Sequence, residues 1–200
     1  MFRPYLILAL ALGHVADPAM AAQPTRIRGT IASIDGDLMR VAPNGGGGER
    51  VIRLAAKLTI SAVVPSSLAA IQPGSFIGTA AETQADGTLV AKEVHVFPEA
   101  MRGAGEGHYA FDLGPKSTMT NGTVGQQVTA TSGNALSVKY RGGESSINVP
   151  PGVPIVTFEP GDRAELVPGA HVIVFAQKGD DDMLSAERVA VGKDGLTPPM

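Results

Sequence analysis

The octapeptide LVAKEVHV (Leu89–Val96) returns later in the chain as LSAERVAV (Leu184–Val191). The correspondence extends outward from these segments. At the same offset of 95 residues, Ile52 meets Ile147, Ile60 meets Ile155, Pro73-Gly74 meets Pro168-Gly169, and Ala81 meets Ala176. Upstream of a glycine-rich turn the offset becomes 97. IRGTIASIDGDLMRV from Ile27 then lies over VGQQVTATSGNALSV from Val124, with Val41 on Val138. Two extra residues in the first copy's NGGGGE turn, against RGGE in the second, account for the change. A small indel at a turn is what homologous β units tolerate, so the chain reads as two copies of one unit.

Each copy is punctuated by Gly and Pro and rich in Val, Ile and Thr, the signature of short strands joined by turns. In the first copy strands are expected near 26–35, 38–43, 50–54, 57–61, 74–82 and 88–97. Asp35-Gly36 and Asp86-Gly87 serve as hairpin turns. Alternation in Val94-His95-Val96 places the valines inward and His95 outward. PSSLAAI (Pro65–Ile71) and its counterpart GDRAELV are the one helix-like piece, a short helix or a 3₁₀ turn, with Ser66 and Asp162 near its start as possible caps. A meander of strands with one short helical insertion points to a five-stranded, partly open Greek-key barrel.

Gly29-x-Ile31-x-x-Ile34-x-Gly36, Leu166-x-Pro168-Gly169 and Asp86-Gly87-x-Leu89-x-Ala91-x-x-Val94 carry a resemblance. They resemble the OB-like domains of unknown function found in exported bacterial proteins. The expected fold is therefore all-β: two tandem small OB-like Greek-key β-barrels, each with one short helical turn. The resemblance bears on fold and says almost nothing about function.

The first residues have the form of a secretory leader: Arg3, an apolar run from Leu6 to Leu12, and Ala19-Met20-Ala21 as a cleavage site. That run is far short of the ~20 residues of a membrane span. The expected organisation is a signal peptide at 1–21, a first barrel at 22–96, an ordered Gly-rich connector at 97–123, a second barrel at 124–192 and a flexible tail at 193–200. The location is periplasmic or secreted. Cysteine is absent, which removes disulfides, thiolate metal sites and cysteine nucleophiles. The net charge of −3 and the lack of a basic stripe argue against a nucleic-acid partner.

One stretch has no counterpart in either copy: MRGAGEGHYAFD (Met101–Asp112). Gly103, Gly105 and Gly107 do not make a dinucleotide loop, since the fingerprint needs G-x-G-x-x-G opening a helix in a βαβ unit. As a metal site the stretch offers Met101, Glu106, His108 and Asp112, with Met119 beyond. Met101 and His108 suit copper, and His108 with carboxylates suits zinc or another divalent ion. As a catalytic site it offers His108 with Asp112 or Glu106 beside Ser117, but no nucleophile elbow accompanies them, and no catalytic residue is assigned.

The remaining reading is a packed joint, too apolar at Phe97, Met101, Tyr109, Phe111 and Leu113 for a solvated linker. Such a joint can also hold a ligand, through Met101, Arg102, Glu106, His108, Tyr109 and Asp112. The chain is thus expected to be a non-enzymatic binding or adaptor module without a cofactor, its partner an envelope protein, a peptide or a glycan. The alternative is a periplasmic metal-handling protein using Met101 and His108. Asp180-Asp181-Asp182 reads as a hairpin turn, and His171, in the register of Phe76, as a partly buried structural residue.

Overall fold

The computed structural model describes residues 25–130, 133–179 and 182–199. The leader and its cleavage site, and Asp180 and Asp181, lie outside the described residues. The fold is all-β. Its strands are β1 (Thr25–Asp35), β2 (Leu38–Pro43), β3 (Arg50–Pro65), β4 (Phe76–Thr83), β5 (Leu89–Val96) and β6 (Gly107–Ala110). They continue with β7 (Ser117–Ala130), β8 (Gly133–Tyr140), β9 (Gly143–Val149), β10 (Ile155–Pro160), β11 (His171–Lys178) and β12 (Leu184–Gly192). The helix-like pieces are 3₁₀ turns at Leu68–Ala70 and Arg163–Glu165. The second is closed by a capping box between Asp162 and Glu165; the first has no side-chain cap.

Two expectations about strands are corrected. The strands expected at 50–54 and 57–61 form one 16-residue strand, β3. In the second copy the same span is broken into β9 and β10 by Pro150-Pro151-Gly152-Val153-Pro154, where the first copy has Ala55-Ala56-Lys57-Leu58-Thr59. Proline has no N–H to give to a ladder. The second copy's first strand also starts at Ser117, so residues 117–123 belong to that copy and not to the connector.

The register of that first strand differs from the sequence expectation as well. A β-bulge follows Ile31 in the β1–β2 pair and Val124 in the β7–β8 pair, so Ile31, not Ile27, is the counterpart of Val124. A Cβ on Gly29 would stand 2.3 Å from the Ala42 carbonyl oxygen, and one on Gly122 would stand 2.3 Å from that of Lys139. The two glycines therefore occupy the same place, where a neighbouring strand crosses too closely for any side chain. The second copy's hairpin is longer by four residues than the first's. A slip of four leaves every inward position inward, because side chains alternate with period two. The apolar pattern alone is blind to it.

The pairings close two rings of five strands. One runs β1–β2–β3–β12–β11 and returns to β1; the other runs β7–β8–β9–β5–β4 and returns to β7. The parallel closure of β12 on β3 sets Leu184 against Ile52, and that of β5 on β9 sets Leu89 against Ile147. These are the same positions in the two copies. The rings, however, do not follow the copies. The first takes three strands from copy one and its last two from copy two, and the second does the reverse.

The cores confirm the exchange. Ile27, Ile31, Val41 and Ile52 pack with Val172, Val174, Val189 and Val191, while Ile77, Ala91 and Val94 pack with Val124, Leu136 and Ile147. The expected barrels at 22–96 and 124–192 are thus corrected to two rings that each draw on both copies. The β4–β5 and β11–β12 hairpins carry the same apolar pattern, so sequence cannot tell which ring either fills. The length of β3 decides: it continues past its pairing with β2 and, through Ser61–Pro65, pairs antiparallel with β10, which in turn pairs parallel with β5. A third apolar cluster lies between the rings, formed by Val63, Val156, Phe158, Ile173 and Ala190 with Phe97, Met101 and Phe175 against it.

Candidate ligand-binding cavity

Between the rings, beside that third cluster, lies a cavity of about 170 Å³. Its floor is β5 and β10. Strand β5 carries His95, and Phe97 follows it; β10 carries Phe158. The His95 ring meets Phe97 edge-on at 5.4 Å and Phe158 at 5.7 Å, and Phe97 stacks on Phe158 at 5.6 Å. One wall is Met119 and Asn121 from β7. The opposite wall is Phe175 from β11 and Arg188, Val189 and Ala190 from β12. The connector closes the third side with Met101, Ala104, Gly105, Tyr109 and Phe111. Its glycines turn at positive φ, 84° at Gly103 and 58° at Gly105, where other residues are strained.

The polar groups at the base are unusual. His95 is 2% exposed, Glu93 0% and Asn121 6%. His95 was expected to face outward; it is buried. The alternation reading failed because β5 is covered on both faces, by its own ring's core on one side and by the Phe97 and Phe158 rings and the connector on the other. Gly78 makes the room, since a Cβ there would lie 2.5 Å from Asn121 Oδ1 and 2.8 Å from the His95 ring. Asn121 Nδ2 donates to the Ala104 and Gly105 carbonyls and to the Tyr109 hydroxyl at 3.1–3.3 Å. Its Oδ1, both Glu93 carboxyl oxygens and His95 Nδ1 have no hydrogen-bond partner among the described residues.

Glu93 Oε1 stands 3.6 Å from His95 Nδ1, beyond hydrogen-bond length. Burial raises the Glu93 carboxyl to about 8, opposed only weakly by the Arg28 charge, and lowers the His95 imidazole to about 3. Both groups are therefore neutral at pH 7, and the contact is not an ion pair. A cluster of buried, perturbed and unsatisfied polar groups beside a cavity is where functional sites concentrate.

At the rim, Arg28 forms a bidentate pair with Asp112 at 2.7 and 3.0 Å, and Arg26 reaches the same carboxylate at 3.9 Å. These charges hold the Asp112 carboxyl below its ordinary range, the Arg28 hydrogen bonds foremost. Arg26 lies over the Phe111 ring at 4.9 Å, and Arg188 over the Phe175 ring at 4.2 Å. Burial raises the Tyr109 hydroxyl, with Arg26 opposing.

The sequence-derived candidates divide. Met101 and Tyr109 line the cavity, and Asp112 holds the rim arginines. Arg102 turns away to Glu99 and the Gly74 carbonyl, and Glu106 is exposed. His108 is exposed, hydrogen-bonded through Nδ1 to Thr120 at 2.8 Å and stacked on Tyr140. Among the described residues no group of three or more His, Asp or Glu side chains is placed to hold a metal ion. The Ser117 hydroxyl is committed to the Phe111 and Gly114 carbonyls. His171 is partly buried and bonded to Thr30.

Sequence reasoning missed Arg26, Arg188, Glu93, His95, Asn121 and the phenylalanines at 158 and 175. One signal was present. At matched positions the two copies keep their core residues but differ around the cavity: Arg26 against Met119, Arg28 against Asn121, Glu93 against Arg188, His95 against Ala190. No family model matches the chain, and no curated protein or solved structure matches it.

Proposed function

We propose that the chain is an exported, non-enzymatic binding module that seats a small amphipathic ligand in the cavity between its two rings. We further infer that each ring is an OB-like barrel completed by strands of the other copy. The order first–second–third–fifth–fourth, with third and fifth strands parallel and a 3₁₀ turn before the fourth, supports that reading. The observation that carries the binding proposal is the aromatic cavity whose base holds unsatisfied, buried Asn121 Oδ1 and His95 Nδ1. Leaving such groups unpaired costs about 1–3 kcal/mol each, a cost that native proteins concentrate at functional sites. A concave, mostly apolar site with a few convergent polar groups is the usual form of a small-molecule site.

Saturation-transfer NMR with 4-phenylbutan-1-ol tests the proposal. Binding to the purified protein is expected, and loss of binding in Ala104→Trp, which fills the cavity from the connector without touching either ring's core. No binding to the wild type, or unchanged binding in a folded Ala104→Trp variant, overturns it.

A further inference from the structure

The rim identifies the class of ligand, given the binding reading above. Arg26 and Arg188 belong to different strands and different copies, yet both line this one cavity. Each guanidinium lies over an aromatic ring, Phe111 or Phe175, which orients it without neutralising its charge. Among the described residues no carboxylate forms an ion pair with Arg188. Among the same residues, Arg26's one carboxylate contact is that to Asp112 at 3.9 Å, whose oxygens are already held by Arg28. The Arg188 guanidinium titrates below its ordinary value because of desolvation and then because of the Arg26 charge, so the two cations repel each other across the cavity.

Arg188 and Phe175 also form a wall shared with a second, polar cavity of about 270 Å³, where Lys57, Thr59 and Gln177 face Glu187. Arg26 and Arg188 are thus the charged side chains of the first cavity, among a lining that is otherwise largely apolar. An ammonium ligand would meet two like charges in this cavity. A neutral one would leave them uncompensated. A carboxylate fits the fork geometry of guanidinium, which donates two parallel hydrogen bonds to two oxygens.

We propose that the cavity binds an amphipathic monoanion, an aryl- or acyl-bearing carboxylate. Its apolar body lies against Phe97, Phe158 and Tyr109, and its carboxylate lies between Arg26 and Arg188. The bound anion relieves the repulsion between the two arginines and draws the copies together at the point where the rings meet.

Three isosteres separate this inference from the binding reading on which it rests: 4-phenylbutyrate, 4-phenylbutan-1-ol and 4-phenylbutylamine, titrated calorimetrically into the purified protein at low salt. The carboxylate is expected to bind about tenfold or more tighter than the alcohol, and the amine more weakly than either. Arg188→Gln and Arg26→Gln are each expected to abolish most of that preference, weakening carboxylate binding several-fold more than alcohol binding, with thermal unfolding confirming that each variant folds. Equal affinity for carboxylate and alcohol, or a preference for the amine, overturns the anion assignment and leaves the cavity reading standing. A carboxylate preference that survives both arginine variants also overturns the assignment. Failure of all three probes to bind overturns both.

Discussion

Val63 of β3 pairs directly with Phe158 of β10, its own counterpart in the other copy. An antiparallel pair in which a position meets its equivalent is a local two-fold relationship. The pairings among the repeated strands recur about it, as Ile60 with Val189 answers Ile155 with Val94, while β6 on β7 has no counterpart. The two rings are thus interlocked by exchanged hairpins, and the cavity lies beside the pair that joins them. Several consequences can be measured.

Cutting the chain between β6 and β7 should not separate the halves. With a protease site inserted between Gly114 and Pro115, in an exposed turn, the cleaved protein is expected to elute from a sizing column as one folded species. The two fragments should part only in denaturant. Barrels closed independently by each copy would come apart under native conditions.

Gly29→Ala and Gly122→Ala should each destabilise the protein by about 1–3 kcal/mol or more, since the new methyl would stand against a backbone carbonyl that cannot move aside. Gly45→Ala, at a turn tip with nothing within 4 Å, is the control and should be near neutral. Urea melts of the three variants decide it. A neutral Gly122→Ala would place β7 in the register of the sequence alignment instead.

Stability should be level between about pH 4.5 and 6.5 as far as Glu93 and His95 are concerned, and should fall on either side. Glu93 is raised from 4.5 to about 8, so above 4.5 the folded state binds a proton that the unfolded state has released. This contribution lowers stability as pH rises, until about 8. His95 is lowered from 6.5 to about 3, so below 6.5 the unfolded state binds a proton that the folded state refuses, and stability falls as pH drops. In the overlap the two slopes cancel. The proton count is the same whether one proton sits on the carboxyl or on the imidazole. Glu93→Gln is expected to remove the decline above 6.5 and to raise stability at pH 8 by on the order of 1–3 kcal/mol. Thermal melts across pH check both limbs.

Asp112→Asn should cost little stability, about 0–1 kcal/mol, because the pair with Arg28 is partly solvated. It should also strengthen 4-phenylbutyrate binding several-fold by removing the only carboxylate near Arg26 among the described residues. Weaker binding in this variant would mean that Asp112 serves to position the arginines for the ligand.

The sequence by itself determined the all-β class and the position of most strands, and it singled out the stretch around Met101 and Tyr109 as the one outside its internal self-similarity. These follow from local signals: alternation, glycine and proline punctuation, and self-similarity. The offset of the first strand was not legible. A four-residue slip preserves alternation, and only the Ala42 and Lys139 carbonyls over Gly29 and Gly122 reveal it. Strand exchange was not legible either, because β4–β5 and β11–β12 offer either ring the same apolar face. The continuous β3 and its pairing with β10 decide that choice. The site followed the same rule. Met101, Tyr109 and Asp112 stand out because they interrupt the repeat, whereas Arg26, His95, Asn121, Phe158 and Arg188 sit inside it, as ordinary strand residues, up to 162 positions apart. Only tertiary pairing brings them to one cavity, because burial of a strand's second face depends on what another part of the chain lays across it.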